Sequence, residues 1–244
     1  MWVSRSFTPA RLSGAASSRS AALIGGVLFD FGGTLDADGV PWKERFWRIA
    51  REEGLDVSAA EFDQAFYGAT DSLEGTIPKS AGFRETVESV SRGLAARLGR
   101  DEALLRRIGE RFTRESLAHL ARSAETLSRL AERHRVGVVS NFYGNLQAVL
   151  DETGLAPSVS VAVDSTLAGC KKPDPRIFRA ALDALGAAPS EAVFVGDSLK
   201  RDMTGARGLG MRHVWLRSAQ ADGGCCCPDD AVIARLSDLL GLEL

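Results

Sequence analysis

The chain has 244 residues, enough for one large domain or a core with a smaller one. Hydrophobic residues make up 45% and charged residues 25%, an ordinary globular composition, and a net charge of -2 gives no reason to expect nucleic acid or an anionic membrane as partner. No apolar run approaches the ~20 residues needed to span a bilayer.

The first twenty residues hold Arg5, Arg11 and Arg19 and no acid. They read as a disordered N-terminal extension, 1–20, on a cytoplasmic protein. Arg- and Ser-rich, acid-poor leaders also occur as mitochondrial transit peptides, so a mitochondrial location is the alternative. An apolar run over 23–29, bounded by glycines, predicts a buried strand. It delivers Asp30 to a turn at Gly32-Gly33, with Thr34 next. A carboxylate there loses hydration and needs partners. Glycines in the turn cost backbone entropy, and sites that carry such costs are often functional. Residues 36–39 form a further turn.

From 40 to 120 the periodicity is helical. Trp42, Phe46, Ile49 and Ala50 share one face. Ser58 and Glu61 have capping-box spacing, and Phe62, Ala65 and Phe66 follow. A third helix spans 83–98. Asp101 caps a fourth, over 102–120. A loop over 73–81 carries Pro78 and Lys79. Trp42, Phe46, Trp47 and Tyr67 read as the core of this helical segment.

After 120, helix and strand alternate. Helices are predicted over 124–134, 145–153, 175–185, 199–209 and 230–240, and strands over 136–139, 159–163, 192–195 and 213–216. Asp174 belongs to the turn before the helix at 175. The four cysteines, Cys170 and Cys225-Cys226-Cys227, have no metal-ligand spacing, which reads as a reduced intracellular chain. His119, His134 and His213 have none either. The alternation predicts an α/β fold, a Rossmann-like parallel sheet with helices on both faces, plus an inserted all-helical domain. Ligands bind such sheets beyond the carboxyl ends of the strands. Three strand ends carry polar residues, Asp30, Ser140-Asn141 and Asp197, and Lys171-Lys172 precedes the helix at 175.

Two carboxylates, a hydroxyl and a lysine at one sheet edge suit phosphoryl transfer. Asp30 and Asp197 can hold a hard cation such as Mg2+. Asp30 can attack phosphorus and form an aspartyl-phosphate. Ser140 and Asn141 can donate to phosphate oxygens, Thr34 joins these phosphate-binding candidates, and Lys172 adds positive charge where negative charge develops.

The order DFGGTLD, VVSN, KKPDPRIF and VFVGDSLKRD resembles the four motifs of the haloacid dehalogenase-like (HAD) hydrolase superfamily, from about Val27 to Asp202. The resemblance implies Asp30 as nucleophile and Mg2+ ligand. It implies Ser140 and Lys172 as phosphate binders, with Lys171 the lesser candidate. Asp197 matches the metal aspartate and Asp202 the second acid of that motif. The backbone carbonyl of Gly32 completes the implied metal set. The helical segment lies between the first and second motifs, which resembles a C1-type helical cap. The boundaries this implies are 21–38 and 121–244 for the core and 39–120 for the cap. A cap implies a small phosphorylated metabolite as partner, sequestered on closure, with no nucleic acid and no membrane. The expected assembly is a monomer or homodimer. Gly196-Asp197 matches the metal-binding form rather than the metal-independent 2-haloacid dehalogenases.

One position departs from the family pattern. Its phosphatases read Asp-x-Asp, and the second aspartate is the general acid/base; here Gly32 stands there. Its loss, at ~10²–10⁴-fold, slows hydrolysis without abolishing it. Asp36, Asp38 or a cap residue could substitute. Two other readings keep the same core: a catalytically weak phospho-ligand-binding or interaction protein, and phosphonate-type hydrolysis with a cap lysine, Lys43 or Lys79, as Schiff base.

Overall fold

The computed structural model describes residues 24–218 and 231–243. The N-terminal extension and Cys225–Cys227 lie outside the described residues. Among these, six strands form one wholly parallel sheet: β1 (Gly26–Phe29), β2 (Arg135–Ser140), β3 (Val161–Asp164), β4 (Ala192–Gly196), β5 (Arg212–Leu216) and β6 (Ala231–Ile233), in the order β3-β2-β1-β4-β5-β6. β1 is central, with Phe29 opposite Val138 on one side and Val195 on the other. Its four residues, GVLF, are all buried. This is expected of a strand with both faces covered, which needs apolar residues throughout rather than alternation.

The side chains of β1 still divide between the faces. Val27 and Phe29 join a core with Val136, Val138, Val193 and Val195. Leu28 packs on the other face with Val139, Phe194 and the helix α7 (Pro175–Leu185). Asp174 caps α7 through the Arg176 N–H, and Gly186 closes it in the left-handed conformation.

Between β1 and β2 come four helices: α1 (Trp42–Glu52), α2 (Ala59–Asp71), α3 (Phe83–Leu98) and α4 (Glu102–Ala131). The capping box at Ser58 and Glu61 is formed, at 2.9 and 3.2 Å. Asp101 caps α4 through the Ala103 N–H at 3.0 Å. α4 is one continuous helix of 30 residues, where two were expected on either side of 120–124. Leu120 to Ala124 contains no glycine or proline, so nothing stops the helix. At about 1.5 Å per residue it is about 45 Å long. Leu105, Ile108 and Phe112 pack within the helical insertion, and Leu127 and Leu130 belong to the same core beside the sheet.

Short helices α5 (Leu146–Glu152), α6 (Ser165–Ala168) and α8 (Thr204–Gly208) complete the crossovers. The single helix expected over 199–209 is a π-turn, Leu199–Met203, running into α8. The helix expected over 230–240 is replaced by β6 and a 3-10 turn, Leu236–Gly241. Val232 and Ile233 are β-branched and pair in register with Trp215 and Leu216, where ladder hydrogen bonds outweigh a short helix. Leu236 and Leu239, spaced for the 3-10 turn, then reach the core. No helix among the described residues is long and apolar enough to cross a membrane.

Candidate active site

Asp30 follows β1, its N–H bonded to the Val195 carbonyl at 2.9 Å. Its carboxylate Oδ1 takes three contacts: the Phe31 N–H at 2.7 Å, the Ser140 hydroxyl at 3.0 Å and the Lys172 ammonium at 2.7 Å. Oδ2 has no hydrogen bond from any described residue. Ser140 reaches Asp30 because β2 pairs with β1 and ends one residue beyond it. Lys172 arrives from the far side of β3. Its backbone is clasped by the Asn141 side chain, which accepts from the Lys172 N–H at 2.7 Å and donates to its carbonyl at 3.2 Å.

The Lys172 ammonium is also 2.7 Å from Asp202, and both side chains are at most 1% exposed. Asp202 accepts the Ser198 N–H at 2.9 Å, which folds the π-turn back over the end of β4. Oxygens of Asp30, Asp197 and Asp202 lie within 4.8 Å of one another. Burial pushes the Asp197 carboxyl well above the usual carboxylate range, and Asp202 and Asp30 push it further. Burial raises Asp202 too, against the opposing pull of Lys172. For Lys172, burial pushes down, but Asp202 and Asp30 outweigh it and hold the ammonium above its ordinary value. With all groups ionised, three carboxylates against Lys172 and the nearby Arg201 still leave an excess of negative charge. An all-oxygen donor set with that excess fits a hard cation such as Mg2+.

The structure therefore brings Asp30, Ser140, Lys172, Asp197 and Asp202 together. Thr34 is there as well, its hydroxyl donating to Asp197 at 3.3 Å, so its present partner is a carboxylate. The Asn141 side chain is committed to the Lys172 backbone. Gly33 has φ +90, and a Cβ there would lie 2.7 Å from Asp197 Oδ2, so only glycine fits. Lys171 is exposed and paired with Glu74, in the loop after α2.

A cavity of about 400 Å³ opens over Asp30, between the sheet edge and the helical insertion. Trp42, Phe66, Tyr67 and Phe142 line it, with Lys43 and Arg201 among its charges. Tyr67 is 54% exposed, so it belongs to this wall and not to the helical core. Asp36 and Asp38 do not line the cavity. Asp36 is wholly buried, accepting the Gly33 N–H at 2.7 Å and the Arg45 guanidinium at 2.8 Å. Asp38 lies 3.6 Å from His119. Lys43 is paired with Asp63 at 3.0 Å. Burial would lower its pKa, but Asp63 and Glu44 outweigh that and raise it. A Schiff-base amine needs the opposite shift. Lys79 is exposed on its loop and outside the cavity.

Sequence reasoning missed Arg45, Arg201 and the meeting of Trp42 with Gly32. Arg45 had a signal: it sits three residues after Trp42 and four before Ile49, on the apolar face of α1. The other two are tertiary contacts with no local pattern.

The family model described as haloacid dehalogenase-like hydrolase matches residues 24–210. The chain is 38% identical over 170 residues to a phosphoserine phosphatase from Thermus thermophilus, covering 67% of this chain and 66% of that one. It is 32% identical over 179 residues to haloacid dehalogenase-like hydrolase domain-containing protein 3 from Bos taurus, covering 68% and 71%. A dehalogenase solved with an intermediate complex has the same fold, with TM-score 0.61 and 24% identity over 90% of this chain and 97% of that chain. The matched family model spans most of the sheet and the whole helical insertion, and the chain belongs to the haloacid dehalogenase-like hydrolases.

Proposed function

We propose that the protein is a Mg2+-dependent phosphatase acting on a small phosphomonoester through an aspartyl-phosphate on Asp30. The observation that carries this is the asymmetry of the Asp30 carboxylate. Oδ1 is held by Phe31, Ser140 and Lys172, while Oδ2 has no hydrogen bond from any described residue. A carboxylate fixed by one oxygen presents the other as an oriented nucleophile. Oδ2 attacks phosphorus and the ester oxygen leaves with the bonding pair. Water then attacks the same phosphorus, and the Asp30 carboxylate departs as inorganic phosphate forms.

Lys172 and Ser140 are placed to donate to the phosphoryl oxygens as charge builds on them. Asp202 holds Lys172 charged, and Asn141 holds its backbone. Asp30, Asp197 and the Gly32 carbonyl would hold Mg2+, with Asp202 nearby; the cation would offset phosphate charge. Helices within 39–120 serve as the cap, and the pair of Lys171 with Glu74 ties it to the core. Phosphatase names among the relatives, phosphoserine phosphatase included, support the same reading.

Purified protein is expected to hydrolyse p-nitrophenyl phosphate slowly, only with Mg2+, and to incorporate phosphate acid-stably before turnover. Asp30→Asn is expected to remove both hydrolysis and labelling. Equal rates for Asp30→Asn and the parent would sink the nucleophile assignment.

A further inference from the structure

The space beside Gly32, where the family's phosphatases carry their acid/base, is not empty. Trp42 fills it from the first turn of α1. A Cβ built on Gly32 would lie 3.3 Å from the indole Nε1 and 3.4 Å from Cδ1. The ring is held by edge and tilted contacts to Phe46, Phe83, Phe112 and Phe142, with centroids 5.2 to 6.5 Å away. Yet Nε1 is buried without a hydrogen-bond partner among the described residues. Leaving such a donor unpaired costs about 1–3 kcal/mol, and buried tryptophan N–H groups usually find partners. Trp42 and Gly32 line the same cavity as Asp30, Ser140 and Lys172. An orphaned donor facing that glycine points to a partner that arrives with the ligand.

We infer that the Trp42 indole N–H donates a hydrogen bond to the oxygen opposite Asp30, the leaving-group oxygen of the substrate, in place of the missing acid. This rests on the phosphatase reading. Nε1 is covered by Gly32 here, so the oxygen meets it as the Gly32 peptide, free to change its backbone angles, shifts within its loop while the Asp36–Arg45 pair keeps α1 seated. An indole N–H is a donor only. It stabilises the departing oxygen but transfers no proton to it. The leaving group departs as an anion and is protonated by water. The favoured substrate class is then phosphate on a stable anion, such as an aryl, enol or acyl phosphate, over simple alkyl phosphates. The same packing means that Gly32→Asp does not restore an acid by itself, since its side chain would enter space the indole occupies.

Two measurements on the full chain test this. In the first, the indole N–H resonances of 15N-labelled protein are followed as inorganic phosphate is added with Mg2+. Bound phosphate places one oxygen opposite Asp30. The Trp42 resonance, assigned by its loss in Trp42→Phe, is expected to move downfield, and those of Trp47 and Trp215 to stay. Should Trp42→Phe fail to fold, Gly32→Ala assigns the resonance, because its methyl group presses on that indole. In the second, kcat/KM is compared for p-nitrophenyl phosphate and an alkyl phosphate. Trp42→Phe keeps an aromatic ring in the cluster. It is expected to lower the alkyl value by roughly tenfold or more and the aryl value by less than about threefold, the loss of one hydrogen bond to developing charge. An unmoved Trp42 resonance at saturating phosphate, or equal losses on both esters, overturns the inference while leaving the phosphatase reading standing. A parent that hydrolyses neither ester removes the phosphatase reading and this inference with it.

Discussion

Asp36 and Arg45 form a buried ion pair between the nucleophile loop and α1, and its removal should be costly. Their side chains are 0% and 5% exposed, and Nη1 is 2.8 Å from Oδ2. Nη1 also donates to the Asp36 carbonyl at 3.1 Å, Nη2 donates to the Ser116 hydroxyl at 2.6 Å, and the guanidinium sits 4.2 Å over Phe112. Arg45→Met keeps the apolar stem and deletes the charge. Asp36 is then a buried carboxylate whose remaining partners among the described residues are the Gly33 N–H and Ser116. Breaking a buried pair from one side costs about 3–5 kcal/mol. At roughly 2–4 °C per kcal/mol for a chain of this size, the melting temperature should fall by about 10 °C. Urea denaturation followed by circular dichroism reads the free energy directly. Asp36→Leu with Arg45→Met removes both charges and should cost less than Arg45→Met alone. Lys43→Met, which breaks the more exposed pair with Asp63, should cost under about 1 kcal/mol. A loss below about 1 kcal/mol for Arg45→Met, or a double variant less stable than the single, would refute the reasoning.

Gly33→Ala should lose activity by about a hundredfold, because its methyl group collides with Asp197 at a backbone angle that favours glycine. Calorimetric titration should show weaker Mg2+ binding, and parent-like affinity would contradict the role given to that glycine. The pH dependence of stability offers a second check. Burial, with Asp202 and Asp30, raises Asp197 in the native state, and burial raises Asp202. The native protein therefore keeps protons that the unfolded chain, with carboxyls near ~3.9, has already released. Without metal, stability should fall as pH rises from there through the raised native values. Lys172 acts in the same sense but in a higher window: its contribution is present below the unfolded value of ~10.4 and is lost only as pH passes its raised native value. Mg2+ should raise the melting temperature more at neutral than at acid pH, and equal shifts at both would count against a cation on these carboxylates.

The strand ends were legible because a parallel sheet needs near-continuous apolar strands, so Asp30, Ser140 and Asp197 stand out where such runs stop. Alternation implied a parallel sheet but not its order; it is the central place of β1 that lets β2 and β4 deliver their ends to either side of Asp30. What was not legible had no local period. β6 is three residues long and is specified by pairing with β5. The helical rhythm over 102–134 was read as two helices, although no residue in it breaks one. Tyr67 has the spacing of a core residue but lies on the face of α2 that borders the cavity.

Asp36 shows how function and stability separate within one motif. From the sequence it is a spare acid that could replace the one absent at Gly32. In the fold its two oxygens are spent on the Gly33 N–H and on Arg45, and it cannot reach a substrate. What it does is join the turn after the nucleophile to α1, the helix that also carries Trp42. The position of the indole over Gly32 and the conformation of the Gly33 turn are thereby set by one buried pair. Ser123 on α4 adds a second tie, its hydroxyl bonded to the Leu35 carbonyl at 2.7 Å. A chain lacking the usual carboxylate can hold its nucleophile loop this way only while the helical insertion stays seated. Loss of Arg45 should therefore lower activity even at temperatures where the fold survives.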